Sequence, residues 1–348
     1  MVGFVDVPAV AAQMLVARLG PMAQPDSSGE PPVVVRFTPP PRPRSSVLLA
    51  TAGARVAADD DERFFLLDRA GRRGQLPVTS GERVLLVDPA IDARPMGTLN
   101  QLAERLLEWQ VAAHGMVMLK GSAVVVPEGG VALLGFAGSG KSSVLLAMLP
   151  DASAYLADER LVLSGPRTVA AWPAPVWLGL DRHYRLPVGV FRAMSRRTRV
   201  ALSLAGAATT VPGSRAVIGR VLADRWVAID PVAAFPALDR RPESQLDAVV
   251  FLLPSGPGAL RMEPLLPDDM VTRVAHQVAY LDHVGLFGLR AMFGTALPRH
   301  VPWVLAPPLE QRLARLPAFL AGVTGWAAHV PFGTPAADVA GAIRTALA

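Results

Sequence analysis

Cysteine is absent from the 348 residues. That excludes a disulfide scaffold, thiolate metal sites and cysteine nucleophiles, and it suits a reducing cytoplasm. No stretch reaches the ~18 uninterrupted apolar residues of a membrane-spanning helix. The 51% hydrophobic share therefore reads as the Ala, Val and Leu of a large interior, and no membrane association is expected. The opening MVGFVDVPAVAAQML lacks the basic region and long apolar core of a secretory signal, so a cytoplasmic protein is expected. Aromatic residues are scarce, at 6%. The arginines behind the net charge of +5 are scattered without aromatic interleaving, and nucleic acid is not an expected partner.

Lysine is nearly missing as well. Among 34 basic residues only Lys120 and Lys141 are lysines. Where arginine serves for every ordinary surface cation, a surviving lysine marks a place that needs a compact ammonium instead of a planar fork. Both fall in one short stretch.

Residues 21–46 carry many prolines and read as a linker or irregular surface wrap around a short strand at Val33–Phe37. From 47 to 90, apolar runs alternate with turn signals (VLLATA, RFFLLD, ERVLLVD), which predicts a small antiparallel meander. The acidic run Asp59–Asp60–Asp61–Glu62 lacks the spaced ligands of a calcium loop and reads as a solvated turn. Leu99, Leu102, Leu106 and Val111 share one face of a helix over 98–113, with Thr98 as its N-cap. Downstream, Ala248–Leu253 reads as a buried strand, a helix starts near Pro267 or Asp268, and residues 336–348 form a last amphipathic helix.

The chemistry is concentrated in VALLGFAGSGKSSVLLAML, residues 131–149. Gly135-x-x-x-x-Gly140-Lys141-Ser142 is a phosphate-binding P-loop set between a buried strand and a helix start. Glycines at 135, 138 and 140 let successive N–H groups face one anion, and the following helix adds its positive dipole end. Lys141 supplies a point charge to the β- and γ-phosphates, and the Ser142 hydroxyl is a ligand for Mg2+. Gly135, Gly138, Ser139, Gly140, Lys141, Ser142 and Ser143 are thus the nucleotide-binding candidates. Beyond Lys141 comes YLADERLVL, in which apolar residues surround Asp158 and Glu159. An acidic pair ending a buried run is costly unless it holds a cation or takes a proton, and it is placed to complete a Mg2+ site with Ser142. Upstream, a hairpin formed by 124–126 and 131–134 around Pro127-Glu128-Gly129-Gly130 can bring Lys120 back beside the phosphate loop.

In this arrangement the chain resembles the HPr kinase/phosphorylase family, which shares a core with phosphoenolpyruvate carboxykinases. That family reads, in order, a His-containing strand, a Gly-rich hairpin, a P-loop, and a short helix followed by Ala-Asp-Asp. Here Ala157-Asp158-Glu159 stands in the last place. The similarity covers residues 114–186, and the region ahead of it is similar to that of relatives found with ribosomal-peptide biosynthesis, some of which phosphorylate a peptide Ser. The resemblance implies an α/β fold with a P-loop kinase core over 111–348, preceded by a β-rich accessory region over 1–110. It implies ATP and Mg2+, a Ser or Thr hydroxyl of a peptide or small protein as acceptor, and Asp158 as general base. Ser142 and Glu159 would hold the metal, while Lys141 and Lys120 would stabilise the phosphoryl group. Glu159 replaces the family's second Asp, and Lys120 replaces the His of a His-x-Ser-Ala segment. That second departure leaves open a nucleotide-binding regulator or scaffold without transferase activity. A homo-oligomer is also left open. His114 reads as a helix-end residue, and Arg182, Arg185, Arg192, Arg196, Arg197 and Arg199 read either as a solvated helix face or as a dock for an acidic peptide or the nucleotide phosphates.

Overall fold

The computed structural model describes residues 2–19, 33–40, 46–51, 54–59, 64–76, 84–93, 97–172, 175–179, 188–194, 196, 199–200, 203, 226–284 and 309–348. They form a mixed α/β protein with several sheets. The chain divides into two compact units, residues 1–118 with 278–315, and residues 119–277 with 316–348. The boundary read from the sequence, between 110 and 111, falls inside a helix, and the first unit regains the chain near its C-terminal end.

The first unit contains β1 (Val2–Val5), α1 (Ala9–Leu19), β2 (Val33–Arg36), β3 (Ser46–Thr51), β4 (Ala54–Asp59), β5 (Phe64–Leu67), β6 (Arg73–Leu76), β7 (Val84–Leu86) and α2 (Thr98–Ala113). Strands β3 to β6 pair consecutively and antiparallel, as the alternation of apolar runs and turns predicts. β7 departs from that expectation. It pairs in parallel with β2, which pairs in parallel with β1. The register partners Val35 and Leu85 are both fully buried, so β2, the short strand expected at Val33–Phe37, is the centre of a small sheet; residues 21–32 and 41–45 of the proline-rich stretch around it lie outside the described residues. A three-residue apolar run carries no periodicity that separates a parallel partner from an antiparallel one. In α2 the expected face is buried at Leu99, Leu102 and Leu106. Its N-cap is Gly97, one residue earlier than expected, with no side-chain capping bond. His114 closes the helix, its Nδ1 2.8 Å from the Gln110 carbonyl.

After β8 (Val117–Leu119), the second unit runs through β9 (Gly121–Val126), β10 (Gly129–Leu134), α3 (Lys141–Met148), β11 (Ala154–Ala157), β12 (Leu161–Gly165), β13 (Thr168–Ala170), β14 (Val176–Gly179), β15 (Trp226–Ile229), β16 (Asp239–Arg240), β17 (Glu243–Gln245), β18 (Ala248–Ser255), β19 (Arg261–Leu265), the part of a helix at Pro267–Val284 that precedes Val278, β20 (Thr324–Pro331) and a C-terminal helix at Ala336–Leu347. Its main sheet has the order β16-β11-β9-β10-β18-β20-β19. β9 and β10 form the expected antiparallel hairpin, while β10, β18 and β20 run parallel. Val124, Val126, Leu133, Leu145, Met148, Val250, Ala328, Val339 and Ile343 belong to one apolar core. That core presses α3 and the C-terminal helix onto one face of the sheet. Among the described residues no helix is long and apolar enough to cross a membrane.

This topology fixes where chemistry can occur. In open sheets of this kind ligands bind beyond the carboxyl ends of parallel strands, where no side-chain layer fills the space. β10 delivers its loop there.

Candidate functional site

The loop between β10 and α3 takes the curled path its glycines predict. Gly138 and Gly140 have φ of +82° and +90°, with open space where a Cβ would stand. At Gly135 a Cβ would come within 2.9 Å of the Leu252 carbonyl oxygen on β18, so only glycine lets the loop lie this close to its neighbour. Gly140 is the N-cap of α3 and no side chain caps the helix, which leaves its first N–H groups to an incoming acceptor.

Lys141 is buried at the base of this loop. Its Nζ donates to the carbonyl oxygens of Gly135 at 2.7 Å and Phe136 at 2.8 Å, and lies 3.4 Å from the Ser139 hydroxyl. Burial lowers the pKa of this ammonium, and the charge of Lys120 lowers it further. Asp158 and Glu159 oppose both, leaving Lys141 at about 8. The hairpin therefore does bring the two lysines within electrostatic reach. Ser139 is buried, whereas Ser142 and Ser143 in the first turn of α3 are half-buried.

Asp158 follows β11, whose pairing with β9 shifts register between Tyr155 and Ala157. Such an irregularity re-aims the residues beyond it. The Asp158 carboxylate is buried and accepts hydrogen bonds from two hydroxyls. Ser142 donates across both oxygens, 3.0 Å from each, and Ser122 donates to Oδ1 at 2.5 Å. Burial pushes the Asp158 carboxyl up; the Ser122 hydrogen bond resists, and the neighbouring Glu159 charge pushes it up again. Glu159 itself has φ +68°, and a tight turn closes behind it with the Arg160 N–H donating to the Asp158 carbonyl at 2.8 Å. A non-glycine residue held there costs on the order of 1–3 kcal/mol, and strain of this kind clusters at functional sites.

The structure thus brings Lys120, Lys141, Ser142, Asp158 and Glu159 into one neighbourhood around the P-loop. Among the described residues no group of three or more His, Cys, Asp and Glu side chains could hold a metal ion by itself. The donors here are a hydroxyl and two carboxylates. Those hard oxygens fit Mg2+, which binds through one or two carboxylates together with phosphate oxygens. Of the arginine group, Arg192 and Arg196 are exposed, while Arg182, Arg185 and Arg197 lie outside the described residues, as do Asp60, Asp61 and Glu62.

Two features were missed in reading the sequence. Ser122 stands inside an apolar strand and its partner Asp158 is 36 residues away, so no local pattern marks it; its place within Lys120-x-Ser122-Ala123 was the available hint. The left-handed backbone at Glu159 has no sequence signal, since glutamate does not favour it. No protein-family model matches this chain, and no curated protein matches it.

Proposed function

We propose that this protein is a Mg-ATP-dependent kinase of HPr-kinase-like type, with a P-loop kinase core, that phosphorylates a Ser or Thr hydroxyl of a peptide or small protein. The observation that carries the reading is the meeting of Ser142 with Asp158 at 3.0 Å beside a buried Lys141. A P-loop hydroxyl, a carboxylate and an ammonium in one place are the parts phosphoryl transfer requires.

In this reading the N–H groups of the loop and the start of α3 cradle the phosphates, and Lys141 exchanges its bonds to Gly135 and Phe136 for phosphate oxygens. Ser142 and Glu159 would hold Mg2+, which supplies neutralising charge at the phosphates. The acceptor oxygen bonds to the γ-phosphorus while the bond from that phosphorus to the bridging oxygen breaks. ADP leaves with the electron pair, and Asp158 takes the hydroxyl proton. A carboxylate raised by burial binds that proton more firmly than an exposed one, as a general base should. Lys120 adds positive charge where the phosphoryl group carries its negative charge.

The alternative, a nucleotide-binding regulator without transfer, draws on Lys120. Its charge helps drive Lys141 toward neutrality and so weakens the ammonium that transfer depends on. Calorimetric titration of Mg-ATP into the wild type and Lys141→Ala, followed by product analysis with Ser- and Thr-containing peptides, separates the readings. The kinase reading expects binding that weakens at least about 30-fold in the variant, with ADP and phosphopeptide formed by the wild type. Binding without transfer favours the regulator, and no binding overturns both.

A further inference from the structure

Ser122 has no assigned role, yet its hydroxyl is fully buried and makes the shortest of the three contacts to the Asp158 carboxylate. It sits on β9 opposite Leu133 of β10, two residues short of Gly135 where the P-loop begins, and its neighbour Ala123 is paired on both sides, with Ala132 of β10 and Ala157 of β11. The strand alternates, so Ser122 shares a face with Val124 and Val126, which belong to the core under α3. A valine or alanine there would be the ordinary choice. A hydroxyl inside such a strand is costly unless it is hydrogen-bonded, and Asp158 is the partner that satisfies it.

The second hydroxyl cannot do the same work. Ser142 spreads its bond across both carboxylate oxygens, so it does not distinguish them, and in the proposed function it also serves the cation. Ser122 engages Oδ1 alone. We propose that Ser122 is the positioning residue of this site, holding Asp158 through Oδ1 so that Oδ2 is the oxygen presented to the acceptor hydroxyl. The assignment rests on Asp158 being the base of the proposed kinase. It accounts for a polar residue in the interior of the strand that supports the phosphate loop. It also makes the orientation of the carboxylate independent of whether nucleotide is bound, because β9 does not belong to the loop that receives the phosphates.

The test uses the full chain, with water standing in for the acceptor. Phosphate release from saturating Mg-ATP is compared in the wild type, Ser122→Ala, Ser122→Thr and Asp158→Asn. Calorimetric Mg-ATP affinities and nucleotide-free crystal structures accompany the rates. Ser122→Ala should slow release about 100-fold, the scale of a small misplacement of a reacting group, with affinity within about twofold of wild type. Its nucleotide-free structure should show the Asp158 carboxylate turned from its present orientation. Ser122→Thr keeps the donor and should restore the rate to within about threefold. A wild-type rate in Ser122→Ala overturns the inference, as does a threonine variant as slow as the alanine one, which would assign the loss to packing. Equal losses of affinity and rate overturn it too, by pointing to a structural role. Failure of the parent reading looks different: the wild type then turns over Mg-ATP neither with water nor with Ser- and Thr-containing peptides, or Asp158→Asn releases phosphate at the wild-type rate.

Discussion

Two aspartates hold the same hairpin from opposite ends, and their surroundings push them in opposite directions. Asp158 lies at the P-loop end, against Ser122 at the start of β9. Asp247 lies at the other end, where its carboxylate accepts from the Gly130 N–H at 2.8 Å, from Gln245 at 2.7 Å and from the Arg167 guanidinium at 2.7 Å. Burial raises both carboxyls in part. At Asp247 the Gly130 N–H, Gln245 and Arg167 outweigh it and hold the group below the usual carboxylate range. At Asp158 burial prevails, helped by the like charge of Glu159. A carboxylate tied by a cation and a rigid backbone donor is a fastener. One surrounded by neutral, rotatable hydroxyls and a second acid is suited to exchanging a proton.

The largest effect should come from removing the charge at the P-loop end. Asp158→Asn should lower phosphoryl transfer by at least about 10³-fold while changing Mg-ATP affinity less than about threefold. It should also melt at a higher temperature than wild type at pH 7, because the native state no longer carries a buried charge. Single-turnover rates and a thermal melt of the same preparation check both halves. A melting temperature well below wild type would make Asp158 a fastener like Asp247 and erase the contrast.

At the other end the consequence is stability without chemistry. Asp247→Ala leaves the Gly130 N–H and the Arg167 guanidinium without their acceptor, at a cost of about 1–2 kcal/mol for these partly exposed bonds. Transfer per folded molecule should stay at the wild-type level. The pH dependence sharpens the pair. Asp247 has a folded pKa below its unfolded value, so its stabilisation is present above the unfolded pKa of about 3.9 and is lost as pH falls through the folded one. Asp158 has a raised folded pKa, so its penalty is present at high pH and fades as pH falls through that value toward the unfolded one. Acidification should therefore shrink the deficit of Asp247→Ala and the advantage of Asp158→Asn together. Melting temperatures recorded across the acid range would show two parallel curves if this reasoning fails.

How much of this was legible in the sequence follows from how far apart the interacting residues lie. The P-loop, the 98–113 helix and the 124–134 hairpin announce themselves because their determinants are neighbours: glycines at fixed offsets, leucines at helical spacing, and a Pro-Glu-Gly-Gly turn between apolar runs. Lys120 and Lys141 stood out by the rarity of their type. The parallel pairing of β2 with β7 was hidden, since parallel partners are joined by long connections and short apolar runs do not encode direction. Ser122 was hidden for the same physical reason in another form, for its meaning depends on a carboxylate that β11 carries to it across the sheet. The Asp247 fastener was equally invisible, being built from Gly130, Arg167 and Gln245 on three separate segments.

The smallest expected effect concerns Lys141, the cation placed between the two acids of the site and the charge of Lys120. With its pKa lowered to about 8, the free protein holds a mixture of ammonium and neutral amine in mildly alkaline solution. Nucleotide phosphates favour the ammonium, so binding must draw a proton from solvent there. Mg-ATP affinity should fall several-fold as pH rises from about 8 to 9, with a limit of tenfold per unit for one proton. Lys141→Arg should bind less well, because a planar fork does not replace a compact ammonium, yet its affinity should be flat across this range. Titrations in buffers of different ionisation heat count the protons directly. Uptake at pH 8 that vanishes in the arginine variant would tie the lowered pKa to this lysine. No uptake in the wild type would mean that Asp158 and Glu159 outweigh burial and Lys120, leaving the ammonium fully charged and the loop simpler electrostatically than its crowded geometry implies.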